Sequence, residues 1–446
     1  MKRIFFLILC SACCNFMAAQ KSLSLEQLKT LALQNNIAVR NARRNIDAAQ
    51  LQRKEAFTKY FPNVSGTGAW FNANKGMAKM DVNPSEMITP ELGAALAASL
   101  PAEALAGLGS PISMSMMKNG TIAGISAVQP VFAGGQIVNG NKLAKVGEEA
   151  AALQLQLSEN EVEKTTVQYF WQLVSLQEKL NTLAAVERLL ADIHKDVDVA
   201  VRAGVAMRND LLQVKLRQND TESQKLKLSN SISILKQLLA QYCGLESADF
   251  TIGQSDLSVK PNTEPGMMNF QETRLPEYQL LQKQVEAADL QRKVAVGQNL
   301  PSVAVGAGYN YHNLMENDRA FAMVFATVSV PISDWWGGSQ AIKRKKIEYQ
   351  QAIDEQRDKS ELLHIRAQNA WNNLTEARQQ IDIAKRSIEQ AEENLRLNRD
   401  YYKAGVSKMS DLLEAQLLYQ QALDRHIDAL ADYQNKLLAY RQSVGE

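Results

Sequence analysis

The sequence predicts a mainly helical protein with a small β contribution, built from one unit used twice: a β-hairpin followed by a pair of helices, the first of them very long. Three observations carry that reading. From Gln136 to about Val201 there is no proline, and the only internal glycines, Gly140 and Gly147, lie near the start; Gln340 to about Lys403 has neither residue. Segments of period-two alternation precede both stretches. Landmark residues recur at a constant spacing along the chain.

The chain opens with Lys2 and Arg3, an apolar run from Ile4 to Leu9, and Ala18-Ala19 before Gln20. That is the layout of an export signal over residues 1–19. Cys10, Cys13 and Cys14 fall inside it, so Cys243 is the single cysteine left in a mature chain and no internal disulfide can form. Cys10-Ser11-Ala12-Cys13 partly matches a lipidation box with Cys13 as the acceptor, although Cys10 stands where leucine is usual. Lipidation at Cys13 and simple cleavage after Ala19 are both open.

The repeat runs from residue 20 to 243 and again from 276 to 446. Pro130 and Pro331, Gly204 and Gly405, and Asp210 and Asp411 each stand 201 positions apart. Gly134-Gly135-Gln136 has its counterpart in Gly337-Gly338-Ser339. Upstream, Phe61-Pro62-Asn63-Val64 pairs with Leu300-Pro301-Ser302-Val303 at an offset of 239, so the first copy carries 38 extra residues. They fall in the Gly-, Ala-, Met- and Pro-rich stretch from about 72 to 120, which reads as an enlarged loop.

Each copy has the same order. A helix opens the first copy at Ser24-Leu25-Glu26-Gln27, a capping-box pattern, and the second at Pro276-Glu277, with proline in the first turn. Hairpins follow at about 62–132 and 301–332. In the second, Val303, Val305, Ala307, Tyr309 and Tyr311 alternate with Ala304, Gly306, Gly308, Asn310 and His312, which gives the strand two different faces. Against lipid the apolar face would be the outer one, with Trp70, Trp335 and Trp336 as interface anchors. A soluble hairpin with one hydrophobic face is the other reading.

The long helices then run to tips near Gly204-Val205 and Gly405-Val406. Leu374, Ala377, Ile381, Ala384, Ile388, Ala391 and Leu395 recur in steps of three and four. Leu173, Leu176, Leu180, Leu183, Leu190, Ile193 and Val197 nearly do. Such seams mean lengthwise packing on neighbouring helices. Residues 244–275, with Pro261, Pro265 and Gly266, read as a connector with little regular structure.

These features limit the functions available. With 49 Lys plus Arg against 48 Asp plus Glu, no charge excess points to nucleic acid. His194, His312, His364 and His426 are scattered without ligand spacing, so no metal site, and no cofactor, is expected. No nucleophile elbow or phosphate-cradling loop occurs, so no catalytic residue is assigned. Beyond the signal no apolar run reaches about 18 residues, so a membrane would have to be crossed by a closed β-barrel. Four strands are too few to close one of useful bore, which requires oligomerisation. Lys343-Arg344-Lys345-Lys346 is either a collar under a membrane leaflet or a solvated stretch of helix.

Taken in order, the signal, Ser24-Leu25-Glu26-Gln27-Leu28 with Asn35-Asn36, Phe-Pro or Leu-Pro before each hairpin, Pro then Gly-Gly after it, and Ala-Gly-Val then Asp-Leu-Leu resemble the TolC-like outer-membrane efflux proteins. The resemblance covers essentially the whole mature chain. It implies a homotrimer in the bacterial outer membrane, with a twelve-stranded β-barrel above a periplasmic α-helical barrel. It also implies a periplasmic adaptor protein and an inner-membrane pump as partners, in a tripartite efflux or type I secretion system. The helix tips would close the passive conduit, with Asp411 and Glu414 as acidic rings and Tyr402 in the tip contacts. An arginine usual in the closed network is replaced by Ser407, next to Lys408. Asp411 and Glu414 lie one turn apart on a helical face, so threefold symmetry would stack two carboxylate rings; the plainer alternative is that Asp411 caps its helix. A periplasmic or surface coiled-coil protein with no pore is the competing class, and the hairpin alternation argues against it.

Overall fold

The computed structural model describes residues 21–83, 88–99, 112–253, 270–314, 317–332 and 334–446. The expected signal over 1–19, Cys13, most of the connector's irregular stretch and the side chain of Trp335 lie outside the described residues. The chain divides into two units. One takes the described residues of Met1–Gln50, Val146–Ala287 and Gln350–Glu446; the other takes those of Leu51–Lys145 and Ala288–Tyr349.

In chain order the elements are β1 (Lys21–Leu23), α1 (Leu25–Asn35), α2 (Ile37–Thr58), β2 (Asn63–Asn72), β3 (Ala78–Val82), α3 (Pro90–Ser99), β4 (Ile112–Met116) and β5 (Asn119–Ala133). Then come α4 (Gln136–Arg202), α5 (Arg208–Cys243), β6 (Phe250–Ile252), α6 (Pro276–Gln298), β7 (Ser302–Leu314), β8 (Asn317–Ser329), α7 (Asp334–Lys403) and α8 (Met409–Val444). Among the described residues no helix is long and apolar enough to cross a membrane.

The first unit is helical. Its opening helix starts as the residues dictate: the Ser24 hydroxyl accepts from Gln27 N at 3.3 Å, and the Gln27 side chain accepts from Ser24 N at 3.0 Å. The single opening helix expected for the first copy is broken at Asn36, which is extended at ψ 135°. Asn36 is nearly buried, with Oδ1 accepting from Ala38 N and Nδ2 donating to Tyr242 O. Asn35 donates to Cys243 O at 3.0 Å. Two adjacent amides thus satisfy carbonyls at the end of α5 that the helix itself leaves open. The connector is more ordered than its composition suggests, because β6 pairs in parallel with β1 and Glu272–Arg274 forms a 3₁₀ turn.

Three apolar clusters hold this unit. One joins α1, α2, α4 and α5 around Leu28, Phe170, Leu173, Leu239 and Phe250. The others lie at the helix tips and between α7 and α8, where Leu374, Ala377 and Ile381 meet Tyr433, Tyr440 and Val444. A fully buried leucine contributes roughly 1.5–3 kcal/mol, so lengthwise seams, not local propensity, hold such helices.

The second unit carries the sheet, ordered β2-β5-β7-β8 with every neighbouring pair antiparallel. The two hairpins join through β5 and β7, which leaves β2 and β8 as unpaired edges within the chain. Register fixes the faces. Val64, Ile125, Tyr309 and Val324 belong to one face, with Trp70, Val305 and Val328. These are exposed, Val324 by 86% and Trp70 by 71%. The opposite face carries Ser65, Ser126, Gly308, Asn310, His312 and Arg319, and there the Phe325 ring lies over Gly306, where a Cβ would overlap it.

The enlarged first-copy loop is not structureless, since β3 and β4 form a second antiparallel pair and α3 lies between them in sequence. The two glycine pairs also differ. Gly134 and Gly135 precede α4 with φ of 60° and 78°, whereas Gly337 and Gly338 fall inside α7, which begins at Asp334 rather than near Gln340. At the first pair the backbones of Gly134 and Gly297 approach so closely that a Cβ on either would overlap the other's carbonyl.

Candidate functional site

The two helix tips are built alike. Gly204 and Gly405 have φ of 75° and 71°, the left-handed conformation that ends a helix at lowest cost in glycine. Val205 N donates to Ala200 O and Val406 N to Tyr401 O, both at 2.9 Å. The turns leave Val205 80% and Val406 77% exposed. Beneath them Val186, Leu190, Ile193 and Val197 of α4 pack with Val214 of α5 and Met409 and Leu412 of α8; Tyr402 and Leu395 of α7 complete the cluster.

The acids lie just past the turns. Asp411 is exposed in the first turn of α8, where its carboxylate accepts from Lys408 N at 3.2 Å and from the Ser410 hydroxyl at 3.1 Å. It therefore caps the helix, and its exposure leaves the same carboxylate facing solvent. Glu414, one turn on, is exposed as well. Asp210 holds the equivalent place in the first copy, and there the half-buried Tyr402 phenol hydrogen-bonds it. Burial first, then the neighbouring Asp210 carboxylate, pushes the Tyr402 phenol above its ordinary range. The Ser407 hydroxyl donates to Asn398 O at 3.4 Å. A groove of about 780 Å³ runs through this region, lined by Ile193, Val197, Asp210, Arg399, Tyr402 and Leu412 among others.

The tryptophans expected as anchors lie in the other unit: Trp70 on the exposed apolar face of the sheet, and Trp336, 80% exposed, in the first turn of α7. One feature of the helical unit escaped sequence reasoning. Arg217 of α5 donates through Nε to Gln416 Oε1 at 3.0 Å and through Nη2 to Gln420 Oε1 at 3.2 Å, both on α8. Gln420 passes the chain on to Gln224 at 3.1 Å. Gln416 is fully buried and Gln420 nearly so, and desolvation draws the Arg217 pKa down. The available signal was two glutamines one turn apart at positions a helix would bury, immediately beyond Glu414.

The sheet thus presents one exposed apolar face and two edges left unpaired within the chain. Residues 274–446 match the family model described as outer membrane efflux protein. The match lies in the second copy of the repeat, which over those residues is similar to the outer membrane efflux proteins. No curated protein sequence matches the chain. Among solved structures it is similar to CusC, with a TM-score of 0.77 at 14% identity over 96% of this chain and 93% of that one. It is also similar to the outer membrane protein VceC of Vibrio cholerae, at 0.72 and 14% over 94% and 96%. The CmeC outer membrane channel of Campylobacter jejuni gives 0.73 and 16% over 94% and 85%. At these identities the structural likenesses carry the fold.

Proposed function

We propose that three copies of this chain close a twelve-stranded barrel and a helical barrel, forming a passive exit duct for a tripartite efflux or type I secretion system. The observation that carries the proposal is the four-stranded sheet with β2 and β8 unpaired. Open edges are not tolerated in lipid, and β8 runs opposite to β2, so the β8 edge of one copy can pair antiparallel with the β2 edge of the next. Exposed apolar residues along the helices, among them Leu216 and Leu226 of α5 and Ile365 of α7, favour burial against further copies. In this reading the bare Val205 and Val406 turns face a periplasmic adaptor that links the duct to an inner-membrane pump. The turns close the conduit, and Asp411 and Glu414 form two stacked carboxylate rings that attract cations and hold the constriction wet.

Heat-modifiable trimers from outer membranes, together with conductance in planar bilayers, test the assembly; a monomer without conductance would overturn it. Asp411→Ala with Glu414→Ala is expected to lower cation selectivity and weaken block by multivalent cations. Unchanged selectivity in intact trimers would remove these residues from the gate.

A further inference from the structure

We propose that the end of the sheet unit where strands become helices is a docking surface for anionic phospholipid of the leaflet on the helical side. The chain path places all four junctions at one end of the sheet: α2 leads into β2, β5 into α4, α6 into β7 and β8 into α7. Exposed aromatic rings gather in these junctions. Phe57 and Phe61 are 55% and 56% exposed, and the Phe57 ring touches both Tyr60 and Phe61 at centroid distances of 5.6 and 5.5 Å. Trp336 opens α7. Tyr60 and Trp336, apolar in body with a polar group at the rim, suit the headgroup level of a bilayer, and the phenylalanines add apolar area beside them.

The charge next to the rings is one-sided. Residues 51–62, 136–145, 288–299 and 334–349 hold eleven Lys and Arg against four Asp and Glu, in a chain that is almost balanced overall. Two of the four acids are engaged with some of those cations: Asp289 pairs with Arg292 and Lys293, and Glu348 with Lys345 and Arg344. Lys54, Lys59, Lys142, Lys343 and Lys346 are exposed, and each lacks a carboxylate partner among the described residues. A surplus of unpaired ammonium groups beside exposed rings needs an anion that comes as a surface, and phospholipid phosphate is that anion. Depth fits too. Lys142 is six residues into α4 and Lys343 nine into α7, about 9 and about 14 Å along their helices, within a headgroup layer plus a screening length.

The proposal rests on the outer-membrane location and not on the gate or the pump. Full-length protein purified in detergent is titrated with phosphatidylglycerol or phosphatidylcholine, and retained lipid is counted by native mass spectrometry. Wild type is expected to prefer phosphatidylglycerol by about tenfold or more, a preference that falls with salt. Lys54→Gln, Lys59→Gln, Lys142→Gln, Lys343→Gln and Lys346→Gln together are expected to abolish it, and the last three alone to reduce it. Removing exposed charges on the other unit, Lys195→Gln, Lys215→Gln and Lys227→Gln, should leave it unchanged. Equal retention of both lipids by wild type, a preference that survives the five substitutions, or an equal loss in the control set would each overturn the proposal. So would a charge-dependent preference for lipopolysaccharide over phosphatidylglycerol, which would assign the patch to the outer leaflet.

Discussion

Arg217→Met keeps most of the side chain's stem and removes its fork. In the native seam two hydrogen bonds of 3.0 and 3.2 Å join the guanidinium to Gln416 and Gln420. A hydrogen bond to a charged group contributes roughly 1.5–3 kcal/mol when buried; Arg217 itself is only half-buried, so both together are worth about 2 kcal/mol. The loss falls on the α5–α8 contact, because both acceptors are on α8 and would be left in a dry seam. Gln416→Leu behaves differently. It removes the acceptor and also the buried Nε2, which has no partner, so its cost should stay below about 1 kcal/mol. The assay is native-state hydrogen exchange of amides in residues 409–424 of intact protein. A loss of about 2 kcal/mol corresponds to roughly thirtyfold lower protection, and Gln416→Leu should stay within about fivefold of wild type. Unchanged protection in Arg217→Met, or equal effects of both variants, would refute the reasoning.

Two further outcomes follow from the packing. Burial, with Asp428 nearby and Lys179 opposing, raises the Asp424 pKa, and its Oδ1 has no partner. The folded state therefore holds this proton more tightly than the unfolded chain. Its contribution is fully present below the unfolded carboxylate pKa and is lost as pH rises through the folded one. Asp424→Asn should flatten that acid-side gain in a pH series of melting curves; a slope identical to wild type would exclude the effect. Gly134→Ala meets a left-handed backbone, costing about 1–2 kcal/mol, and in addition an overlap with the Gly297 carbonyl. It should deplete folded protein in outer membranes, whereas Gly204→Ala, with open space at its Cβ, should pay only the backbone term; equal yields of the two would count against the close approach.

The parts legible in the sequence are those with a period. Leu374, Ala377 and Ile381 repeat because a seam demands it, and they are buried. Gly204 and Gly405 stand at left-handed helix ends that favour glycine. Val305 and Tyr309 alternate with Gly306 and Asn310 because the sheet has two faces. What could not be read lacks local expression. Asn36 breaks a helix by bonding a residue 206 positions away, and Arg217 finds its partners 199 and 203 positions on. Asp411 carried two readings, cap and ring, because its sequence position is the same in both; the structure adds the hydrogen bond to Lys408 N.

The tie between Asn35-Asn36 and the end of α5 also bears on how the chain matures. The residues that complete the start of the fold are Tyr242 and Cys243, more than 200 positions later. During export the first helix emerges early and waits, its amides and the Leu28 face unfilled, until α5 has followed. Closing so distant a contact is slow compared with forming any helix. The opening segment is therefore completed only once α5 has followed it, although it is the first part of the fold in chain order.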